Sequence, residues 1–443
     1  MDRAISDELI KWKNDPDRKP LILEGIRQCG KTHILKEFGD KYYKKTAYVN
    51  FEETPEVASF FDLNLDPFRI TEALSSKLKI DIDDKTLIIF DEIQTCGKAL
   101  TSLKYFNERM PHYSIVCAGS LLGLLHSTPT SFPVGKVDFL KMYPLSFPEF
   151  MVAMGERDMH RYITSMPKDE TIPDAFFTTL NKLYYEYCFV GGMPEAVLSW
   201  KKHQDPDRVR KVQDNIIRLY QSDFAKYAPL KDVKKIISIW SSIPAQLSKE
   251  NKKFIFGHAV EGGRARDLED ALQWLIDAGM VHRVNLLSVP RMPLSAYCDL
   301  AYFKLYCADI GLLGAMANLR YSSIISDDAE YREFKGAMTE NYVLTELVKL
   351  TDKVPYYWRK KSEAEIDFVH TICDRIVPIE VKAGSYRRLR SMESYMELYN
   401  TNTGFVISLD GQHSGNITSV PLPLVWKMQD RTDTTPHMRK TSS

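Results

Sequence analysis

At 443 residues the chain is too long for one hydrophobic core and has the length of about three domains. Hydrophobic residues make up 44% and charged residues 27%, which excludes a disordered chain and a membrane-embedded one. Fifty-nine basic and 59 acidic residues cancel, so no global field draws the protein to nucleic acid or lipid, and any such contact needs a local patch.

Seven cysteines (29, 96, 117, 188, 298, 307 and 373) form neither a C-x-x-C pair nor a Cys/His set with zinc spacing. They are expected to be reduced thiols, which points to the cytoplasm. The opening MDRAISDELIKWKN is charged throughout and lacks the pattern of a signal peptide. No apolar run approaches 18 residues, so no membrane partner is expected.

Residues 1–19 read as a short amphipathic helix and a polar loop. The stretch 21–32, LILEGIRQCGKT, then carries an apolar strand into G-x-x-x-x-G-K-T, with a helix expected to follow. Gly25 and Gly30 allow backbone conformations that a Cβ resists. The loop N–H groups and the positive end of the helix then face a phosphate chain. The expected nucleotide-binding residues are Gly25, Ile26, Arg27, Gln28, Cys29, Gly30, Lys31, Thr32 and His33. Lys31 would reach the β- and γ-phosphates of ATP, and the Thr32 hydroxyl would ligate Mg2+. Cys29 reads as a small filler or as an oxidation-sensitive thiol beside the nucleotide.

A second strand is expected at 46–51, then a helix with Ile70, Ala73, Leu74 and Leu78 on one side. TLIIFDEIQ (86–94) places four apolar residues ahead of Asp91 and Glu92. Ligands of parallel α/β sheets sit outside the carboxyl ends of the strands. Asp91 therefore reads as an Mg2+ ligand, and Glu92 as the catalytic group that orients and polarises the attacking water. The next strand (113–118) leads to Ser120, which either senses the γ-phosphate or caps a helix. Strands alternating with helices imply a right-handed, mostly parallel sheet.

At this point GIRQCGKT, IIFDEIQ, AGSLLG and MYPLSFPEF together resemble a bacterial and archaeal group of AAA-type ATPases with a C-terminal region of unknown function. The resemblance continues through GGMPEAV (191–197), DFAKY (223–227), KLYCADIGLL (304–313), FKGAMTENYVLTEL (334–347) and VPIEVKAG (377–384). It implies an arginine finger just before the PLSF motif. Gly135-Lys136-Val137 stands there instead, and lysine cannot offer the bidentate fork. A tightly coupled ring is thereby in doubt.

From 146 to 227 the apolar spacing is helical, and the resemblance implies a lid packed on the ATPase core. Gly191-Gly192 mark a turn, with Pro194 near the first position of the next helix. Residues 229–318 follow the order helix, turn, helix, hairpin of a winged helix, which in DNA readers sets one helix in the major groove. Arg264, Arg266 and Arg283 form the candidate face, largely cancelled by Asp267, Glu269, Asp270 and Asp277.

The motif F-K-G-x-x-x-E ending in Glu340 opens a long helix. Asp367 lies on a later strand, and Glu380-Val381-Lys382 on the one after it. Alternation turns Glu380 and Lys382 to one face, and an antiparallel pairing brings Asp367 beside them. This arrangement resembles the PD-(D/E)xK nuclease superfamily, and its K-G-x-x-x-E start is similar to the first helix of archaeal Holliday-junction resolvases. The resemblance implies that Glu340, Asp367 and Glu380 bind one or two Mg2+ and that Lys382 positions or deprotonates the water. The alternative is a set of strand carboxylates paired with Lys382 in a fold that does not cut. Arg359, Lys360, Lys361, Arg387, Arg388 and Arg390, interleaved with Tyr356, Tyr357, Trp358 and Tyr386, form a candidate phosphate-contacting rim or a solvated edge.

The expected fold class is α/β. A P-loop NTPase parallel sheet (1–145) leads to a helical lid (146–228) and a winged-helix-like middle (229–318). A restriction-endonuclease-like α/β domain (319–428) and a disordered tail (429–443) complete the chain. The leading function is ATP binding and hydrolysis coupled to a nuclease-like, DNA-acting domain. The alternative is a nucleotide-dependent regulatory module that binds DNA or a protein partner without cutting. Homo-oligomerisation stays open.

Overall fold

The computed structural model of the protein describes residues 1–119, 133, 135–167, 172–360, 363–384, 389–409 and 417–428. Its N-terminal part is a five-stranded, wholly parallel sheet. Strands β1 (Leu21–Glu24), β2 (Lys45–Asn50), β3 (Thr86–Asp91), β4 (Ser114–Ala118) and β5 (Asp138–Lys141) lie in the order β2-β3-β4-β1-β5. Every residue of β3 and β4 is buried, as expected of parallel strands covered on both faces. Alternate residues feed two cores: Leu21, Leu23, Leu87, Ile89 and Val116 on one face, and Ile22, Ile88, Phe90, Ile115 and Cys117 on the other. Helices α1 (Ile5–Asn14), α2 (Lys31–Tyr42), α3 (Pro67–Leu78) and α4 (Gly97–Arg109) accompany the sheet.

The helical character expected after 146 is realised as α5 (Phe147–Met154), α6 (Arg157–Ser165), α7 (Asp174–Val190), α8 (Pro194–His203) and α9 (Pro206–Tyr227). A capping box fixes the start of α5: the Ser146 hydroxyl accepts from the Glu149 N–H, and the Glu149 carboxylate accepts from the Ser146 N–H. Next come α10 (Val233–Leu247), α11 (Phe256–Ala259), α12 (Ala265–Asp277) and the antiparallel hairpin β6 (Val281–Leu287) and β7 (Cys298–Cys307).

That hairpin does not stay within 229–318. β6 pairs in parallel with β8 (Tyr356–Lys360) through Leu286 and Leu287, opposite Tyr357 and Trp358. β6 and β7 form one edge of a seven-stranded mixed sheet, β12-β11-β10-β9-β8-β6-β7. Its other strands are β9 (Ala364–Ile372), β10 (Arg375–Val381), β11 (Gly404–Ser408) and β12 (Ile417–Pro421). The sheet thus crosses the boundary expected at 318/319. Helices α13 (Ile310–Met316), α14 (Tyr321–Ser326), α15 (Ala329–Thr351) and α16 (Arg390–Tyr399) complete this part. The last apolar run is strand only as far as Pro421, and Leu422–Lys427 turns into a 3-10 helix. The tail expected to be disordered, 429–443, lies outside the described residues. Among the described residues no helix is long and apolar enough to cross a membrane.

Candidate nucleotide site and a buried charge cluster

The loop after β1 has the backbone its sequence requires. Gly25 and Gly30 adopt φ of +151° and +99°, and a Cβ on Gly25 would stand 2.2 Å from the Met142 carbonyl oxygen. Helix α2 begins at Lys31. The Lys31 ammonium turns back into the loop and donates to the carbonyls of Gly25 (2.7 Å) and Ile26 (3.0 Å). Thr32 Oγ1 donates to Asp91 Oδ2 at 2.7 Å, and the Tyr48 phenol donates to the same oxygen at 2.9 Å. Asp91 is buried at the carboxyl end of β3. Burial, followed by the Asp91 charge, pushes the Tyr48 phenol well above its usual pKa. Glu92 follows in the left-handed region, φ +50°, and accepts from Gln94 Nε2.

Thr32 and Asp91 meet the donor chemistry of Mg2+, two hard oxygens on adjacent elements beside the phosphate loop. The remaining predicted residues behave differently from one another. Cys29 is fully buried with its thiol directed to the Met142 carbonyl at 3.6 Å, the packing of the filler reading. His33 is exposed and faces Glu37 on its own helix at 3.6 Å, so its side chain serves α2 rather than the loop. Ser120 lies outside the described residues. Lys136 pairs with Glu108 at 3.1 Å. It precedes β5, whose Asp138 is level with Leu21, so it lies at the strand-start end of the sheet, away from its own phosphate loop.

The partners that hold this loop were not assigned to it from the sequence. Arg27 Nη1 donates to Asp223 Oδ1 of α9 at 2.7 Å, and Tyr220 of α9 donates to the Arg27 carbonyl at 2.8 Å. Arg3 donates to the carbonyls of Cys29 and Tyr143 and pairs with Glu149. DFAKY carried a signal for Asp223. Arg3 carried none, being one basic residue in a charged stretch.

The C-terminal residues come together around the strands β9 and β10. Asp367 Oδ2 accepts the Val381 N–H at 2.8 Å across the antiparallel pair. Lys382 stands one residue beyond β10, yet its ammonium reaches Glu380 Oε1 at 2.5 Å. Glu380 is buried, and its other oxygen has no hydrogen-bond partner among the described residues. Glu340, on α15, pairs with Lys252, accepts from the Tyr306 phenol at 2.9 Å and lies 3.9 Å from Lys304. Lys304 is buried and also pairs with Glu365 at 2.5 Å. Burial works against the Glu340 charge, but Lys252 and Lys304 outweigh it and hold the carboxyl below its usual range. Burial and then the Glu340 charge push Asp367 up to about 7.

This set does not fit a divalent cation as it stands. Lysines already neutralise Glu340 and Glu380, one oxygen of Asp367 accepts a backbone N–H, and among the described residues no three His, Cys, Asp or Glu side chains form a metal-holding group. Lys252 and Lys304 are the missed members, and both come from outside the expected domain. The stacking rim also changes. Tyr357 and Trp358 are buried in the core rather than offered to a ligand, and Arg359 and Lys360 pair with Glu365 and Glu363. Lys361, Tyr386, Arg387 and Arg388 lie outside the described residues. On the face expected of a winged helix, Arg283 is committed to Glu269, to the Leu300 carbonyl and to the face of the Phe303 ring.

With this geometry in view, residues 17–151 match the family model described as AAA domain. Residues 181–323 and 335–425 match two models described as domains of unknown function, DUF8612 and DUF4143. The parallel sheet and the loop geometry of the N-terminal part agree with the AAA-domain match and define a P-loop α/β fold. An uncharacterized protein of Haemophilus influenzae is 24% identical over 402 residues, 84% of each chain. The Walker-type ATPase PABY2304 of Pyrococcus abyssi is similar at 16% identity and a TM-score of 0.45, over 71% of this chain and 95% of that one. The Aeropyrum pernix ORC2 protein is similar at 13% identity and a TM-score of 0.38, over 73% and 93%.

Proposed function

We propose that the protein binds and hydrolyses ATP at the loop 25–32, and that nucleotide state is passed through α9 and α15 to a C-terminal regulatory or binding unit. The observation that carries the reading is the convergence of Thr32 and Tyr48 on buried Asp91, with Lys31 inside the loop and Glu92 next in sequence. Thr32 and Asp91 would hold Mg2+, which supplies positive charge to the β- and γ-phosphate oxygens. Lys31 exchanges its loop carbonyls for phosphate oxygens. Glu92 orients water. The water oxygen bonds to the γ-phosphorus as the bond to the β–γ bridging oxygen breaks, ADP keeps that electron pair, and the water proton passes through Glu92 to phosphate.

Nucleotide binding and steady-state turnover test this. Lys31→Ala should lose ATP binding. Glu92→Gln should bind ATP but hydrolyse it at least about a hundredfold more slowly. Wild-type turnover by Glu92→Gln would remove the role given to that carboxylate.

The C-terminal unit is read as binding DNA or a protein partner without cutting, because its carboxylates are neutralised from within. Cleavage is a second reading, favoured by the unpartnered buried oxygen of Glu380 and the D…E-x-K order. A panel of branched and single-stranded DNA with Mg2+ or Mn2+ decides: cutting that disappears in Asp367→Ala and Lys382→Ala selects it. The soluble composition and scattered thiols suit the cytoplasm.

A further inference from the structure

Phosphoryl transfer needs positive charge at the γ-phosphate beyond the P-loop lysine and the metal. Lys136 cannot bring it to its own site. It sits at the strand-start end of the sheet, bound to Glu108, and lacks the planar fork. Arg27 is different. It lies inside the phosphate loop, two residues past Gly25, and is half-buried. The Asp223 carboxylate holds its guanidinium at 2.7 Å, and the Tyr220 phenol holds its backbone carbonyl at 2.8 Å.

Both clamps come from one helix. Positions 220, 223 and 227 of α9 fall on one face, three and four residues apart. The same end of α9 is tied to the segment after β2: Lys226 and Tyr227 both donate to Glu52. Arg27 also lies within reach of the Glu92 charge. Burial works against its positive charge, and Asp223 and then Glu92 outweigh it. The guanidinium thus belongs to the loop that cradles the phosphates and is held there from α9.

We propose that Arg27 is the γ-phosphate-contacting arginine of this ATPase, acting in cis, and that Asp223 is its positioning residue. A guanidinium has five donors, so it can keep Asp223 on Nη1 and turn others to the γ-phosphate oxygens. Charge that builds on those oxygens as the bridging bond breaks is then met by a donor already in place. The arrangement also makes α9 a reporter, because ATP recruits the fork towards phosphate and ADP leaves it to Asp223. This rests on the ATPase reading above.

The test uses the full chain, with turnover and nucleotide affinity measured side by side. Arg27→Ala should lower kcat on the order of a thousandfold while ADP affinity is kept. Arg27→Lys, which keeps charge without the fork, should recover only a small part of it. Asp223→Asn should lower kcat about tenfold, again without loss of ADP affinity. Mixing Arg27→Ala with Glu92→Gln should give no activity above the two alone, because both groups serve the same site of one chain. Wild-type kcat in Arg27→Ala, or activity restored on mixing, would overturn the proposal. A wild-type protein that binds ATP without turnover would sink the hydrolysis reading alone. The preference for ATP over ADP, kept or lost in Arg27→Ala, would then decide whether Arg27 touches the γ-phosphate.

Discussion

A single carboxyl, Asp367, shows how far the C-terminal charges depend on each other. It is half-buried, and burial together with the neighbouring Glu340 charge raises its pKa from 3.8 to about 7. A group that binds its proton more tightly folded than unfolded contributes stability at low pH and loses it as pH rises through the folded pKa. The native state should therefore weaken between about pH 4 and pH 7 through this residue alone. Asp367→Asn removes the titration and keeps an oxygen for the Val381 N–H. Its melting temperature should gain on the wild type as pH rises across that window, by an amount equivalent to about 4 kcal/mol. A difference that stays constant with pH would show that Asp367 ionises freely. At this scale the sequence was most legible where chemistry fixes a residue type at a fixed spacing, as for Gly25, Lys31, Thr32 and Asp91. Arg27's partner Asp223 is 196 positions away, and Lys252 is 88 positions from Glu340. No local pattern announces such pairs.

Among the elements, the connection from β5 into α5 touches several distant parts, and it explains why MYPLSF reads as a motif. The Met142 N–H donates to Glu24 at 2.8 Å, and its carbonyl lies against Gly25 and Cys29 under the phosphate loop. The Leu145 N–H donates to the Gly192 carbonyl at 2.7 Å, and the Leu145 carbonyl accepts from Tyr187 at 2.6 Å and Lys349 at 3.1 Å. A Cβ on Gly192 would stand 2.2 Å from that same carbonyl oxygen, while Asp309 accepts the Gly192 N–H at 2.7 Å. GGMPEAV and KLYCADIGLL are thus two sides of one contact. The buried Glu346 carboxylate accepts the Phe147 N–H and pairs with Lys349 at 3.0 Å. Glu346→Ala leaves an ammonium and a backbone N–H without their partner and should cost about 3 kcal/mol, read as a lowered urea midpoint. Glu346→Gln keeps an acceptor and should cost less. Motif and periodicity located these elements, because strands and helices follow from local spacing. The membership of β6 and β7 in the C-terminal sheet was not legible, since hairpin order is the same whether a hairpin stands alone or joins β8.

At the scale of the molecule, α15 links the two charged centres. Glu346 and Lys349 touch the segment leaving the parallel sheet, and Glu340 reaches Lys252, Lys304 and Tyr306 six residues earlier on the same helix. Six residues of α-helix span about 9 Å, too short and too well packed for the ends to move independently. A shift of the loop on taking up phosphate has a direct route: Gly25 and Cys29 press on Met142, and Leu145 and Phe147 hold α15. The Tyr143 phenol, bound to Asp352 just past α15, adds a second attachment. Coupling along such a route requires ATP to favour one of two arrangements of the packed elements. Hydrogen exchange is the measurement, because it reads opening of each segment separately. Adding Mg2+ and ATP should slow exchange in 25–32 through direct binding. It should also change exchange in 142–149 and in the last turns of α15, which the nucleotide does not touch. The changes should be absent in Lys31→Ala. In Glu346→Gln the loop should still be protected while the response of α15 shrinks. Protection confined to the loop in the wild type would leave the P-loop domain and the C-terminal unit as independent bodies.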